Sequence, residues 1–110
     1  MTLEALDKTK FGKYEIIASL YKLLGNPVRL KILRLLQDKS MGFSELMHEL
    51  AVNPKVLSNC LNKLIGFRLI VKSYPHRVYV LTSAGRRILR EQIEAVYEYL
   101  DLFVKPVKEE

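Results

Sequence analysis

Between Ala51 and Arg90 the chain has no aspartate or glutamate, although those forty residues carry eight lysines or arginines. By the same count the first fifty residues are +2 and the last twenty −4, so the formal +6 of the chain is concentrated in one segment. A field of one sign attracts polyanions, phosphate backbones foremost, while the bland alternative is a solvated basic surface. Cysteine is nearly absent. Cys60 is the only one, which excludes an intrachain disulfide and makes a reducing cytoplasm the expected compartment. No apolar run approaches the length of a membrane span, and Met1 to Lys13 lacks the apolar core expected of a signal peptide. Also missing are a nucleophile beside a base, a glycine-rich phosphate loop and paired carboxylates, so no enzyme is expected.

What is present suits one domain, 1–110, with enough apolar residues (49%) to bury a core. The expected fold class is mainly α with a small β-hairpin wing, a core over 14–82 and a long C-terminal helix over 83–104. Tyr14, Ile17, Tyr21 and Leu24 fall at helical spacing, and Ile16, Leu20 and Leu23 widen the stripe, which predicts burial on two sides. Gly25-Asn26-Pro27 stops that helix and starts another, with Gly25 as a left-handed end, Asn26 as cap and Pro27 in the first turn. The second helix, to about Gln37, faces Arg29, Lys31 and Arg34 outward. Lys39 to Gly42 reads as a turn, and Ser44 as the cap of a short helix to Leu50. Asn53-Pro54 repeats the cap-plus-proline signal and opens a fourth helix over about 54–65.

That fourth helix has Leu57, Cys60, Leu61 and Leu64 on its apolar side, and Lys55, Ser58, Asn59, Asn62 and Lys63 opposite. Asn and Lys side chains have the length and chemistry to reach base edges in a major groove, and Val56 can touch a thymine methyl. Ser58 and Lys63 can equally serve phosphates, and the plain alternative is a solvated helix face. Leu69 to Ser73 and Val78 to Leu81 read as two strands of a wing over about 69–81, joined by Tyr74-Pro75-His76-Arg77. Thr82 or Ser83 caps the last helix, which is expected to end before Pro106. There Leu89, Ile93, Val96, Leu100 and Phe103 alternate in steps of four and three, the repeat of a paired-helix seam. Glu91, Glu94, Glu98 and Asp101 fall on the other side. They can bind a hard cation or simply be solvated, and Arg87 with Glu91 and Arg90 with Glu94 can pair at four-residue spacing.

These residues carry a resemblance. Phe43-Ser44-Glu45-Leu46 through Ala51-Val52-Asn53 to Lys55-Val56-Leu57-Ser58 resembles the winged helix-turn-helix of prokaryotic transcriptional regulators. Leu23 to Leu33, with its Gly-Asn-Pro turn, is similar to the opening of ArsR-type repressors. Lys55-Val56-Leu57-Ser58 and Leu81-Thr82-Ser83-Ala84-Gly85-Arg86 are more similar to HxlR- and MarR-type proteins. The resemblance implies that Lys55, Val56, Ser58, Asn59, Asn62 and Lys63 form a recognition helix. It implies that His76 and Arg77 reach the minor groove or its phosphates from the wing tip, and that Arg86, Arg87 and Arg90 track the backbone. One departure is Arg68, where such proteins usually have a glycine before the first wing strand.

No metal or other cofactor is expected. ArsR-type metal sites need paired Cys, or His with Asp, whereas Cys60 stands alone and His48 and His76 lie on separate elements. Cys60 as a redox switch is weighed against a buried small hydrophobe, since it shares its side with three leucines. The expected partners are double-stranded DNA and a second copy of the chain, with no membrane. The homodimer interface is expected at Tyr14, Ile17, Tyr21, Leu89, Ile93, Val96, Leu100 and Phe103. The rival readings are a winged-helix protein-interaction module and a non-specific nucleoid-type or RNA-binding protein.

Overall fold

A computed structural model describes residues 11–108, with side-chain surroundings for 11–102. The order is α1 (Gly12–Leu24), α2 (Pro27–Asp38), β1 (Met41–Gly42), α3 (Phe43–Leu50), α4 (Pro54–Gly66), β2 (Ile70–Ser73), β3 (Val78–Leu81), α5 (Ser83–Ile88), a π-helical stretch (Leu89–Glu94) and α6 (Ala95–Lys108). The strands form a three-stranded antiparallel sheet in the order β1-β3-β2. This is the mainly helical, winged architecture expected from the sequence.

Local chemistry accounts for most of the boundaries. The Asn26 side chain accepts from the Arg29 N–H and the Asn53 side chain from the Val56 N–H, and each asparagine precedes a proline whose missing N–H is no loss in a first turn. Thr82 caps α5 by accepting from the Gly85 N–H at 2.9 Å. The same hydroxyl lies 2.8 Å from the Arg68 carbonyl oxygen and 3.0 Å from that of Leu69, so one side chain ties α5 to the strand entry.

Elsewhere the sequence-based reading is corrected. Gly25 is not left-handed; its φ of −80° is ordinary, and its N–H bonds the carbonyls of Tyr21 and Lys22. Arg29 does not simply face outward. It is half-buried, and its Nε donates to the Leu23 carbonyl at 2.6 Å, closing the end of α1. The expected turn at Lys39 to Gly42 contains β1, with Met41 opposite Tyr79 and Gly42 opposite Val78. The cap of α3 is Gly42 rather than Ser44, because Glu45 reaches back to accept from the Gly42 N–H at 3.1 Å. That bond, with Lys39 nearby, holds the Glu45 carboxyl below its usual range.

One hydrophobic cluster joins these elements. Ile32 and Leu33 of α2, Leu46 of α3, Leu57, Leu61 and Leu64 of α4, and Ile70 of β2 are all essentially excluded from solvent. Leu89 is also 0% exposed and belongs to this core. Its assignment to a dimer seam is therefore wrong: one helix cannot both bury a residue in its own core and offer it to a partner. A π-helical stretch, with turns wider than those of an α-helix, runs from Leu89 to Glu94 at this point of the chain. The 3.5-residue seam splits there. Leu89 faces the core and half-buried Ile93 packs beside it, while Val96 (47%) and Leu100 (44%) emerge exposed.

α6 continues through Pro106 to Lys108 instead of ending before the proline. The side chain of Phe103 lies outside the described residues. The radius of gyration of 15.5 Å exceeds the roughly 13 Å of a compact chain of about 100 residues, as expected when a helix projects from the body. Among the described residues no helix is long and apolar enough to cross a membrane.

Candidate nucleic-acid interface

The surface of interest is built on α4. Its buried side (Leu57, Cys60, Leu61 and Leu64) anchors the helix against the core. That fixes its rotation, so Lys55, Val56, Ser58, Asn59, Asn62 and Lys63 are all exposed on the remaining circumference. Cys60 is 3% exposed, the environment of a small hydrophobe and not of an accessible thiol. α3 leads into α4 through Ala51, which takes a left-handed φ of 53° and donates its N–H to the Met47 carbonyl. That conformation ends α3 abruptly, and Asn53 restarts the chain at once.

The wing depends on the same anchoring. Arg68, at the position where a glycine is usual, has a φ of +61°. The backbone therefore makes the glycine-type turn with an arginine in place. Its N–H donates to the Ile65 carbonyl at 2.8 Å, and its carbonyl meets the Thr82 hydroxyl. The strands pair Ile70 with Leu81 and Ser73 with Val78. At the tip, His76 and Arg77 are exposed, the latter also left-handed at 57°, and Tyr74-Pro75 is cis.

The wing also holds a cluster of three residues that no sequence motif marks. The Lys72 ammonium sits 5.4 Å from the ring centre of Tyr79 and 5.9 Å from that of Tyr74. Lys72 is half-buried in this arrangement, and Tyr74 is 69% exposed at the tip. The signal was available in principle. Residues two apart share a strand face, and Tyr79 lies opposite Lys72 in the register, so the three meet once the pairing is known.

Arg86, Arg87 and Arg90 are all exposed beyond the Thr82 cap. The Arg87 Nε lies 3.0 Å from Glu91 Oε2, the expected four-residue pair. The expected Arg90–Glu94 pair is absent. Arg90 instead approaches the same Glu91 oxygen at 3.7 Å, and Glu94 lies 3.8 Å from Arg34 of α2. Glu94, the last residue of the π-helical stretch, thus faces α2 of the body and not Arg90. The acidic residues are thus not one outer stripe.

A second surface is apolar. Tyr14, Ile17 and Tyr21 on α1 are between 43% and 56% exposed, so α1 is buried on one side only. A groove between α1, α2 and the C-terminal helix is lined by Tyr21, Leu24, Leu30, Ile93, Val96 and Leu100. Across it the Tyr21 hydroxyl donates to Gln92 Oε1 at 2.8 Å. Among the described residues no polar or charged side chain is buried, and no three His, Cys, Asp or Glu side chains gather as metal ligands would.

Comparison with known proteins agrees with this geometry. Residues 26–72, which contain α2 through most of the first wing strand, match the sequence model of the bacterial regulatory protein arsR family. No curated protein matches in sequence. Among solved structures, the chain resembles the homodimeric winged helix-turn-helix DNA-binding domain of Mb0332 from Mycobacterium bovis, a possible ArsR-family regulator. There the TM-score is 0.73 and the identity 19%, over 91% of this chain and 95% of that one. The transcriptional regulator YodB of B. subtilis, in its reduced form, gives 0.70 and 22% over 81% and 92%. NolR from Sinorhizobium fredii gives 0.69 and 26% over 82% and 93%. The chain therefore has the winged helix-turn-helix fold, and within it residues 26–72 are similar to the bacterial regulatory protein arsR family.

Proposed function

We propose that the chain is a sequence-specific regulator that binds double-stranded DNA as a homodimer. The observation that carries this reading is the two-sided character of α4. One side is locked into the core, and the other presents two asparagines, two lysines, a serine and a valine, within a forty-residue span free of acidic residues. Asn59 and Asn62 can pair with base edges in the major groove, where amide side chains discriminate adenine. Lys55, Ser58 and Lys63 set register on phosphates, and Val56 offers a methyl contact. His76 and Arg77 reach the minor groove or its flanking phosphates, and Arg86 and Arg87 follow the backbone. A protein-interaction module has no need of this basic face.

Dimerisation rests on the second surface. Tyr14, Ile17 and Tyr21 with Val96 and Leu100 expose apolar area that the monomer leaves uncovered. Burial at about 25 cal/mol per Å² favours covering it with a second copy. Two-fold symmetry would place the recognition helices about one turn of DNA apart, on an imperfect inverted repeat. Duplexes selected from a random pool at two salt concentrations test the reading. An inverted repeat retained at the higher salt is expected, whereas equal retention of all sequences would leave only a non-specific binder.

A further inference from the structure

We propose that Glu91 is an internal competitor for DNA phosphates, holding Arg87 and Arg90 in place of the backbone and so setting the affinity of the free protein. The inference rests on the DNA-binding reading above and goes beyond it, because it assigns a role to an acidic residue in a surface otherwise described by its cations. One carboxylate oxygen lies 3.0 Å from the Arg87 Nε and 3.7 Å from an Arg90 terminal nitrogen. Both arginines stay more than 60% exposed and Glu91 is 45% exposed, so the cluster is open to solvent and to a polyanion.

The position of Glu91 in the chain matters. It is the first acidic residue after the forty-residue basic span, and it lies within reach of both arginines, four residues after one and next to the other. Glu94, three residues on, is turned to Arg34 instead. The two acidic residues thus carry the same charge on the same stretch of helix, yet only one occupies cations of the proposed interface. Exposed ion pairs are weak, so phosphates can displace Glu91. Displacement nevertheless gives up two contacts and leaves a carboxylate near a negative backbone. The net phosphate contact made by this corner is therefore smaller than two free arginines would give.

The test compares wild type, Glu91→Gln, Glu94→Gln and the double variant Arg87→Ala/Glu91→Gln on a random-sequence duplex across a salt series. Thermal melts verify that all are folded. Glu91→Gln is expected to tighten binding by about fivefold near 0.1 M salt and to steepen the log–log salt slope by up to about one unit, the contribution of one further phosphate contact. Glu94→Gln removes the same charge but acts only on Arg34, which keeps Asp38 at 3.0 Å, and is expected to leave the slope unchanged. Adding Arg87→Ala is expected to erase most of the gain. Equal tightening by both glutamine variants would reduce the effect to net charge and overturn the proposal. Weaker binding by Glu91→Gln would make Glu91 a support for the arginines and overturn it as well. If wild type ignores the duplex even at low salt, the DNA-binding reading itself fails, an outcome distinct from either of these.

Discussion

Asn59 and Asn62 stand exposed on α4 because Leu57, Cys60, Leu61 and Leu64 leave that helix only one orientation. Replacing either asparagine with alanine should relax base preference at one position, costing about 1–3 kcal/mol on the preferred duplex and little on random sequence. Binding titrations on both duplexes check this, and equal loss on both would remove them as readers. Gly85 is constrained differently. A Cβ there would penetrate the Leu69 carbonyl oxygen and come within 2.8 Å of Leu81 Cδ1. Gly85→Ala should therefore lower folding stability by about 2 kcal/mol or more, seen in denaturant unfolding, because the obstacle is largely backbone and cannot swing aside. The glycine was visible in the Leu81-to-Arg86 motif. Its reason was not, since Leu69 comes beside it only through the sheet.

The elements divide by how local their causes are. α2 and α4 begin where Asn-Pro says they should, because an asparagine cap and a first-turn proline act within four residues. β1 gave no such sign. Two residues have no periodicity, and Met41–Gly42 is a strand only because β3 lies alongside it. The wing was legible as a hairpin, and its tip leaves His76 and Arg77 exposed. Its bracing by Lys72 between Tyr74 and Tyr79 depends on the strand register. Truncating Arg77 to alanine should weaken binding to all duplexes alike and lower the salt slope by about 0.9, the share of one phosphate contact. A sequence-dependent loss would instead make Arg77 a reader of the minor groove.

At the scale of the whole molecule, the C-terminal helix has two tasks in succession. Through Leu89 and Ile93 it closes the core, and through Val96 and Leu100 it offers an apolar face beside that of α1. The two tasks predict opposite phenotypes. Leu100→Glu should yield folded monomers in sedimentation, because it places a charge on the face proposed for a second copy. Leu89→Ala should instead destabilise each subunit by about 2–5 kcal/mol through a core cavity, read by denaturant unfolding. A Leu100→Glu dimer of unchanged strength would refute the proposed interface.

The amino-acid order alone determined the helix-turn-helix, the wing, the absence of acid from 51–90 and the face of α4 turned outward, because caps, periodicity and charge act over one or two turns of chain. Tertiary structure decided the rest. It placed Leu89 inside, added β1 to the sheet, gave Arg68 a left-handed backbone and turned Glu94 to Arg34 while Glu91 kept two arginines. Each of these depends on what a distant segment leaves room for. A seam spaced every 3.5 residues is indifferent to whether its neighbour is its own core or a second chain, and only its first two positions, Leu89 and Ile93, meet the core of the domain itself.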